Sequence, residues 1–397
     1  MLLVPSSRFS VLSPAAIGPV LLRTGKWELV LATLLRMDHS GRLRRLQAAL
    51  DENALDFLLV THLPNIRYLC GFTGSAGALL ISDRGATFFT DGRYLTQARA
   101  EVAGARIVIA GKAPALAAGD FLVGSAGRTV ARIGLEAQSV TMATREQLGR
   151  LLRRKWKLVS APLLIERARM VKDKDEIGLI RKAIQVGAGL FRIGRRKVRP
   201  GVKEVEVAAA MEFAARRAGA EGMSFSTIIA AGKRSAVVHG RASEARIPRR
   251  GFVVCDFGVI LAGYCSDRTR TVHVGNPTQP ARQMYAAVLE AQQAAIASVR
   301  AGVAAAEVDA AARKVLGKHH LAKFFSHSTG HGLGLEIHEP PRLAAGQTQE
   351  LQPGMVITIE PGAYIPGKYG VRIEDVVVVT NKGCEVLTPA DKELIIV

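Results

Sequence analysis

The chain has only four cysteines in 397 residues, and no Cys-x-x-Cys pair, so neither a zinc knuckle nor a dithiol redox motif is supported. Cys70, Cys255, Cys265 and Cys384 are too few and too scattered for a disulfide framework, which points to a reducing, cytoplasmic setting. Long apolar runs are also missing. None approaches the roughly 18 residues a membrane span needs, so a soluble protein without a membrane partner is expected. Aromatic residues make up 5% and do not interleave with basic ones, which argues against a stacking surface for single strands. Acidic residues are outnumbered, 34 against 54 Lys and Arg, for a net charge of +20. The basic residues are spread along the chain, as at Arg42 to Arg45, Arg192 to Lys197 and Arg249-Arg250. They read as an Arg-rich surface with no specific nucleic acid partner.

What is present is ordinary for a globular chain, with 48% hydrophobic and 22% charged residues. The length suggests two domains. Residues 1–36 are apolar but broken by Pro5, Pro14, Pro19, Arg23 and Lys26, unlike a signal peptide. They read as a disordered arm or an upstream artefact before Met37. From Arg42 the pattern becomes regular. Leu43, Leu46, Leu50 and Leu55 suggest an amphipathic helix, and Asp56 to Val60 a buried strand. Ala78–Ile81 and Thr87–Thr90 predict a hairpin turned through Ser82 to Gly85. Further strands at 106–110 and 132–135 alternate with helices near 94–102 and 143–153, which makes residues 37–166 an α/β domain. Gly71 to Gly77 lacks the Gly-Lys-Ser/Thr of a phosphate loop and reads as a glycine-rich turn.

A second domain, 167–397, opens with Asp173 and Glu176 at capping-box spacing. It carries an internal repeat. Arg199, Gly201, Val202, Glu206 and Val207 recur as Arg300, Gly302, Val303, Glu307 and Val308, at a constant offset of 101 residues. Each copy is a helix pair followed by strands with two acids, which predicts two related halves around a shared site. In the first half Asp256 ends an apolar strand and Asp267 follows eleven residues later. A turn at Leu261-Ala262 would set them opposite one another on one hairpin face, and leave Cys255 and Cys265 on different faces, unbridged. In the second half Glu360 ends one strand, and Glu374 shares a face of another with Arg372.

Four acids in buried strands need positive charge beside them. Arg268, Arg270 and Arg372 are candidate salt-bridge partners; two divalent cations are the alternative favoured by the matching acid pair in each half. With one histidine added, the oxygen-rich set suits Mn²⁺, with Co²⁺ or Zn²⁺ also compatible. Such a pair of ions suits hydrolysis of an amide or ester. The histidine source is the stretch Ser326 to Pro340, where His327, His331 and His338 fall within twelve residues among glycines expected to let substrate backbone approach.

AGYCSDRTR at 262–270, HSTGHGLGLEIHEP at 327–340, IEPG at 359–362 and VRIED at 371–375 resemble the pita-bread metallopeptidases, most closely Xaa-Pro aminopeptidases and Xaa-Pro dipeptidases. GFTGSAG at 71–77 and TDGRY at 90–94 resemble the creatinase-type N-terminal domain found on those enzymes. The resemblance covers about residues 40–397. It implies an α+β pita-bread catalytic domain with a pseudo-twofold repeat behind the α/β domain. It implies two metal ions, with Asp256 binding one, His331 and Glu360 the other, and Asp267 and Glu374 bridging. His239 and His338 would meet the substrate carbonyl and assist proton transfer, together with Glu360. His327, Tyr364 and Arg372 would complete the substrate site. A homodimer, in which the partner's N-terminal domain limits substrate length, is implied as well.

Two positions depart from the family pattern. Val238 stands where a proline usually precedes the histidine, and Arg268 where the residue is usually small or apolar. The first departure bears on where His239 sits. GFTGSAG favours an aminopeptidase over a dipeptidase acting on peptides with proline second. A methionine aminopeptidase shares the ligands but not the HSTGH form, and a non-catalytic scaffold of this fold would be expected to lose ligands.

Overall fold

The computed structural model describes residues 37–124, 131–152, 156–388 and 392–397. The expected N-terminal arm, 1–36, lies outside the described residues. The N-terminal unit starts with α1 (His39–Glu52), whose first turn is capped by Asp38 accepting from the Gly41 N–H. Leu43, Leu46 and Leu50 form its buried face, and Leu55 is buried just past its end. There follow β1 (Phe57–Val60), α2 (Leu63–Cys70), β2 (Ala78–Ser82), β3 (Gly85–Asp91), α3 (Leu95–Glu101), β4 (Arg106–Ala110), α4 (Pro114–Gly124), β5 (Ala131–Leu135), α5 (Met142–Leu152) and β6 (Trp156–Ser160). The strands form one mixed sheet in the order β4-β3-β2-β1-β5-β6. The predicted hairpin has Ser82 opposite Gly85, so only Asp83 and Arg84 turn the chain.

The unbroken apolar run in β1 has a simple cause. Leu58 and Val60 pack into the core on one face of the sheet, and Leu59 into the core on the other. A strand covered on both faces has no polar side to show.

A short helix, α6 (Leu164–Met170), leads into α7 (Lys174–Lys197). Asp173 and Glu176 form the predicted capping box at the start of α7. The rest of the chain folds as two halves. The first holds α8 (Glu204–Arg217), β7 (Gly222–Met223), β8 (Ile228–Ala231), β9 (Gly251–Asp256), β10 (Val259–Leu261), β11 (Tyr264–Cys265) and β12 (Thr269–Val274). The second holds α9 (Gln279–Ser298), α10 (Ala305–Lys318), β13 (Gly330–Gly332), β14 (Glu339–Leu343), β15 (Val356–Ile359), β16 (Gly362–Ile365), β17 (Tyr369–Arg372), β18 (Asp375–Val379) and β19 (Cys384–Val386). The two halves keep the spacing of the sequence repeat: α8 and α10 begin and end 101 residues apart. The bridges Lys203–Arg246 and Ala304–Glu350 close equivalent corners. Each half has its own apolar core, one around Met211 and Val253, the other around Val288 and Ile357.

The hairpin carrying the first acids turns one residue later than expected. Ala262 and Gly263 form the turn, at φ 51° and 80°. A two-residue turn with both φ values positive matches the twist of its strands, and Gly263 meets that demand without strain. The strands around it bring Thr269, not Asp267, opposite Asp256. All four cysteines are free.

The N-terminal unit is locked to α7 by a buried cation. Arg42 donates to the Tyr68 carbonyl at 3.0 Å and to Asp173 at 2.7 Å, and lies 3.1 Å from Glu176. Tyr264, from the β10–β11 hairpin, donates to Glu176 at 3.0 Å. Removing one partner of such a buried pair leaves an uncompensated charge. Arg42→Met is expected to lower unfolding stability by about 3–5 kcal/mol, read from urea denaturation. A loss within experimental error would show that the network bears little of the interdomain contact.

Candidate metal centre

The site lies on the seam between the two halves, at the floor of a cleft of ≈1020 Å³. Asp256 closes β9, Asp267 precedes β12, and Glu374 sits in the two-residue step between β17 and β18. Their carboxylates each offer an oxygen within 4.8 Å of the others. Glu360 follows β15 and lines the cleft half-buried. His331, on β13, lies with Nε2 3.4 Å from Glu360 and 3.7 Å from Asp267. Its Nδ1 donates to the Gly332 carbonyl at 2.9 Å, which leaves Nε2 as the bare nitrogen facing the acids. Burial lowers the His331 imidazole to about 4, so it is neutral near pH 7.

The electrostatics of the acids are severe. Burial and the charge of Glu374 push Asp267 well above the usual carboxylate range, and burial with the charges of Glu360 and Asp256 does the same to Glu374. Burial raises Glu360 to about 8. Arg372 is the guanidinium that reaches them: it donates to Asp256 and lies 3.9 Å from Glu360. Even so, Asp267 Oδ1 and Glu374 Oε1 are buried with no hydrogen-bond partner among the described residues. Four carboxylates with two orphan oxygens and one bare imidazole nitrogen make a donor set that fits divalent cations, and one arginine leaves the carboxylates' charge uncompensated. Salt bridges alone do not satisfy it.

The other candidate arginines are engaged elsewhere. Arg270 pairs with Asp375, not with a cleft acid, and also holds the Glu374 carbonyl. Asp375 is fully buried and further held by Gln292, Thr388 and Lys392. Arg268, the unusual neighbour of Asp267, packs over the Phe191 ring at 5.4 Å.

Around the acids stand the remaining predicted residues. His239 and His338 line the cleft, and the His338 ring meets His331 edge-on at 4.5 Å. His327 has both nitrogens engaged. Its Nδ1 donates to the Ser328 carbonyl at 2.8 Å, so its Nε2 accepts the Tyr364 hydroxyl at 2.9 Å. That hydroxyl in turn accepts from Arg372 at 2.7 Å. Arg372 also donates to the Val238 carbonyl at 3.2 Å and so ties down the residue before His239.

The glycines of the histidine stretch have a different task from the one expected. A Cβ on Gly330 would stand 1.9 Å from the Thr358 carbonyl, and one on Gly332 2.2 Å from that of Pro340. They admit neighbouring protein backbone, not substrate. Arg167, Arg241 and Arg342 also line the cleft and were not foreseen as site residues. Only the Pro-Pro-Arg run after His338 marked one of them. Asp309, likewise unforeseen, accepts from Thr329 and Arg313 and fixes the start of the stretch.

The family described as Metallopeptidase family M24 matches residues 178–381, and the Creatinase/Prolidase N-terminal domain matches 42–171. The chain belongs to metallopeptidase family M24. Within that family it is 36% identical to an Xaa-Pro dipeptidase of Pyrococcus horikoshii, over 89% of this chain and 98% of the relative. A solved Xaa-Pro dipeptidase from Bacillus anthracis superposes with a TM-score of 0.86 at 39% identity, over 91% of this chain and 100% of the other. An X-Pro aminopeptidase from Thermotoga maritima gives 0.82 at 33%, over 90% and 100%. The catalytic half is thus a pita-bread fold behind a creatinase-type domain. As an M24 peptidase the chain is a metal-dependent hydrolase, and no described helix is long and apolar enough to cross a membrane.

Glu374→Gln removes one buried negative charge and one candidate ligand oxygen. With chelator present, the variant is expected to unfold at or above the wild-type temperature. With a divalent cation added, the wild type alone is expected to gain stability. Equal cation stabilisation of both would rule out Glu374 as a ligand.

Proposed function

We propose that the chain is a metal-dependent exopeptidase that hydrolyses the Xaa–Pro bond at a peptide's N-terminus. The observation that carries this reading is the pair of orphan oxygens on Asp267 and Glu374, set beneath two cleft histidines. The names of the relatives support the bond. Asp256, Asp267, His331, Glu360 and Glu374 would hold the two cations. Manganese suits this oxygen-rich set best. Bound there, two divalent cations supply an activated water and an electrophile for the scissile carbonyl.

The chain's own residues do the rest. His239 meets the substrate carbonyl, its neighbour held by Arg372 where the family resemblance expects a proline. His338 is lowered below the ordinary histidine range by burial and by the charge of His239, so at neutral pH it is an imidazole able to pass on a proton. The nitrogen to be released is that of proline, a tertiary amide with no N–H, so the cleft needs no acceptor for it. Glu360, 3.4 Å from His331 Nε2 at the cleft wall, takes part in proton transfer. Tyr364, with burial raising its phenol to about 12, stays protonated, and with His327 it fixes the Arg372 guanidinium.

Substrate length follows from the cleft walls. Arg167, Arg241 and Arg342 are exposed and form no ion pair with described residues, which favours a free carboxylate close to the scissile bond, as in a dipeptide. The cleft volume, larger than a dipeptide fills, favours the aminopeptidase reading that GFTGSAG suggested. The free cysteines support a cytoplasmic setting, and the family resemblance supports a homodimer.

With Mn²⁺ the wild type is expected to cleave Xaa-Pro dipeptides. Arg342→Met should raise KM for them roughly 10- to 100-fold, the worth of a charged hydrogen bond, and leave Xaa-Pro tripeptides little changed. Tripeptide cleavage at equal or higher kcat/KM would favour the aminopeptidase. Inertness towards both would overturn the proposal. His338→Gln should cut kcat about 100-fold or more at unchanged metal content, measured by steady-state kinetics and elemental analysis.

A further inference from the structure

His338 makes no side-chain hydrogen bond to any described residue, and residues 333–338 have no regular structure. Its position is therefore set by its neighbours, which are held by His62 of the N-terminal unit and by residues of the segment that joins it to α7. Glu336 accepts from His62 Nε2 at 3.0 Å and from Arg169 Nη2 at 2.8 Å. Glu339 is buried and accepts from Arg169 at 2.6 Å, from Lys172 at 3.0 Å and from the Glu336 N–H at 3.1 Å. The second nitrogen of Arg169 donates to Asn65 Oδ1 at 2.7 Å. Asn65 donates to Glu136 at 2.7 Å and to Glu166 at 2.8 Å. Glu136 closes the circuit by accepting the His62 backbone N–H at 2.8 Å.

Two packing contacts accompany this circuit. A Cβ on Gly334 would stand 2.8 Å from both Glu339 oxygens, so the carboxylate lies in the crook of the His338 loop. Leu335 packs against the core of the N-terminal unit. The hydrogen bond to Glu336 lifts His62 above its ordinary histidine value, which favours a charged pair.

We infer that the N-terminal unit, through His62 and together with Arg169 of the connecting helix α6, positions His338. His62 is a positioning residue: it touches Glu336, two residues from His338, and lies outside the acid cluster. The kinetic arm of the test rests on the role given to His338 above.

His62→Leu removes the donor at similar size, and His62→Gln keeps a donor at similar reach. In the full-length protein, His62→Leu is expected to speed amide hydrogen exchange at Glu336 at least about tenfold, and His62→Gln to leave it near wild type. On an Xaa-Pro dipeptide with Mn²⁺, His62→Leu should lose roughly 10- to 100-fold in kcat, with KM and metal content unchanged and activity restored in His62→Gln. Unchanged exchange at Glu336 in His62→Leu would overturn the inference. So would faster exchange with wild-type kcat, because His62 would then fasten the loop without positioning His338. An inactive wild type would overturn the proposed function instead, and exchange at Glu336 would still decide whether His62 holds the loop.

Discussion

The mutual repulsion of Asp256, Asp267, Glu360 and Glu374 in one buried pocket is the constraint on which the catalytic half depends. Each ionised carboxylate taken out of water costs several kcal/mol unless a positive charge stands beside it. Arg372 offsets part of that cost at Asp256, and two oxygens are left with no hydrogen-bond partner among the described residues. A fold that tolerates this must over-determine the position of every acid, because relaxation would carry them apart. The dense polar packing around them follows from that need, and so does the affinity for divalent cations.

The over-determination comes from the seam between the two halves. Thr269 of the first half donates to Glu374 of the second at 2.9 Å and accepts from Arg372 at 3.2 Å. Thr271 both donates to the Arg372 carbonyl and accepts its N–H. Arg270 spans the same gap to Asp375. Acids from both halves meet only if these crossings hold. The N-terminal unit adds a second layer of restraint, with one polar network at Arg42 and another at Arg169. The latter reaches the acids on either side of His338.

Much of this was readable in advance, for local reasons. Short apolar runs bounded by turn residues marked β1 and the β2–β3 hairpin, and a 3.6-residue pattern marked α1, because burial leaves its trace on neighbouring positions. Asp173 and Glu176 announced the start of α7, because a cap is a contact between residues three apart. The acids stood out because charge inside an apolar strand is costly wherever it occurs. Other features were not readable. The turn at Ala262-Gly263 lay one residue from its expected place, and a shift of one position changes which residue faces Asp256. Three arginines were equally plausible partners for the acids, and sequence distance could not rank them. The glycines near His331 signalled close approach without saying of what.

The sequence alone determined the inventory: the acid pairs in two repeated halves, the histidine stretch, the capping residues and the α/β alternation of the first domain. Each rests on chemistry between neighbours along the chain or on a periodicity it carries. Tertiary structure decided the allocations. It gave Arg372 to Asp256, Arg270 to Asp375 and Arg268 to Phe191. It turned the bare nitrogen of His331 towards the acids, engaged both nitrogens of His327, and joined His62 to Glu336 across the domain boundary. These pairings link residues up to a few hundred positions apart, and only the packed backbone sets which donor reaches which acceptor.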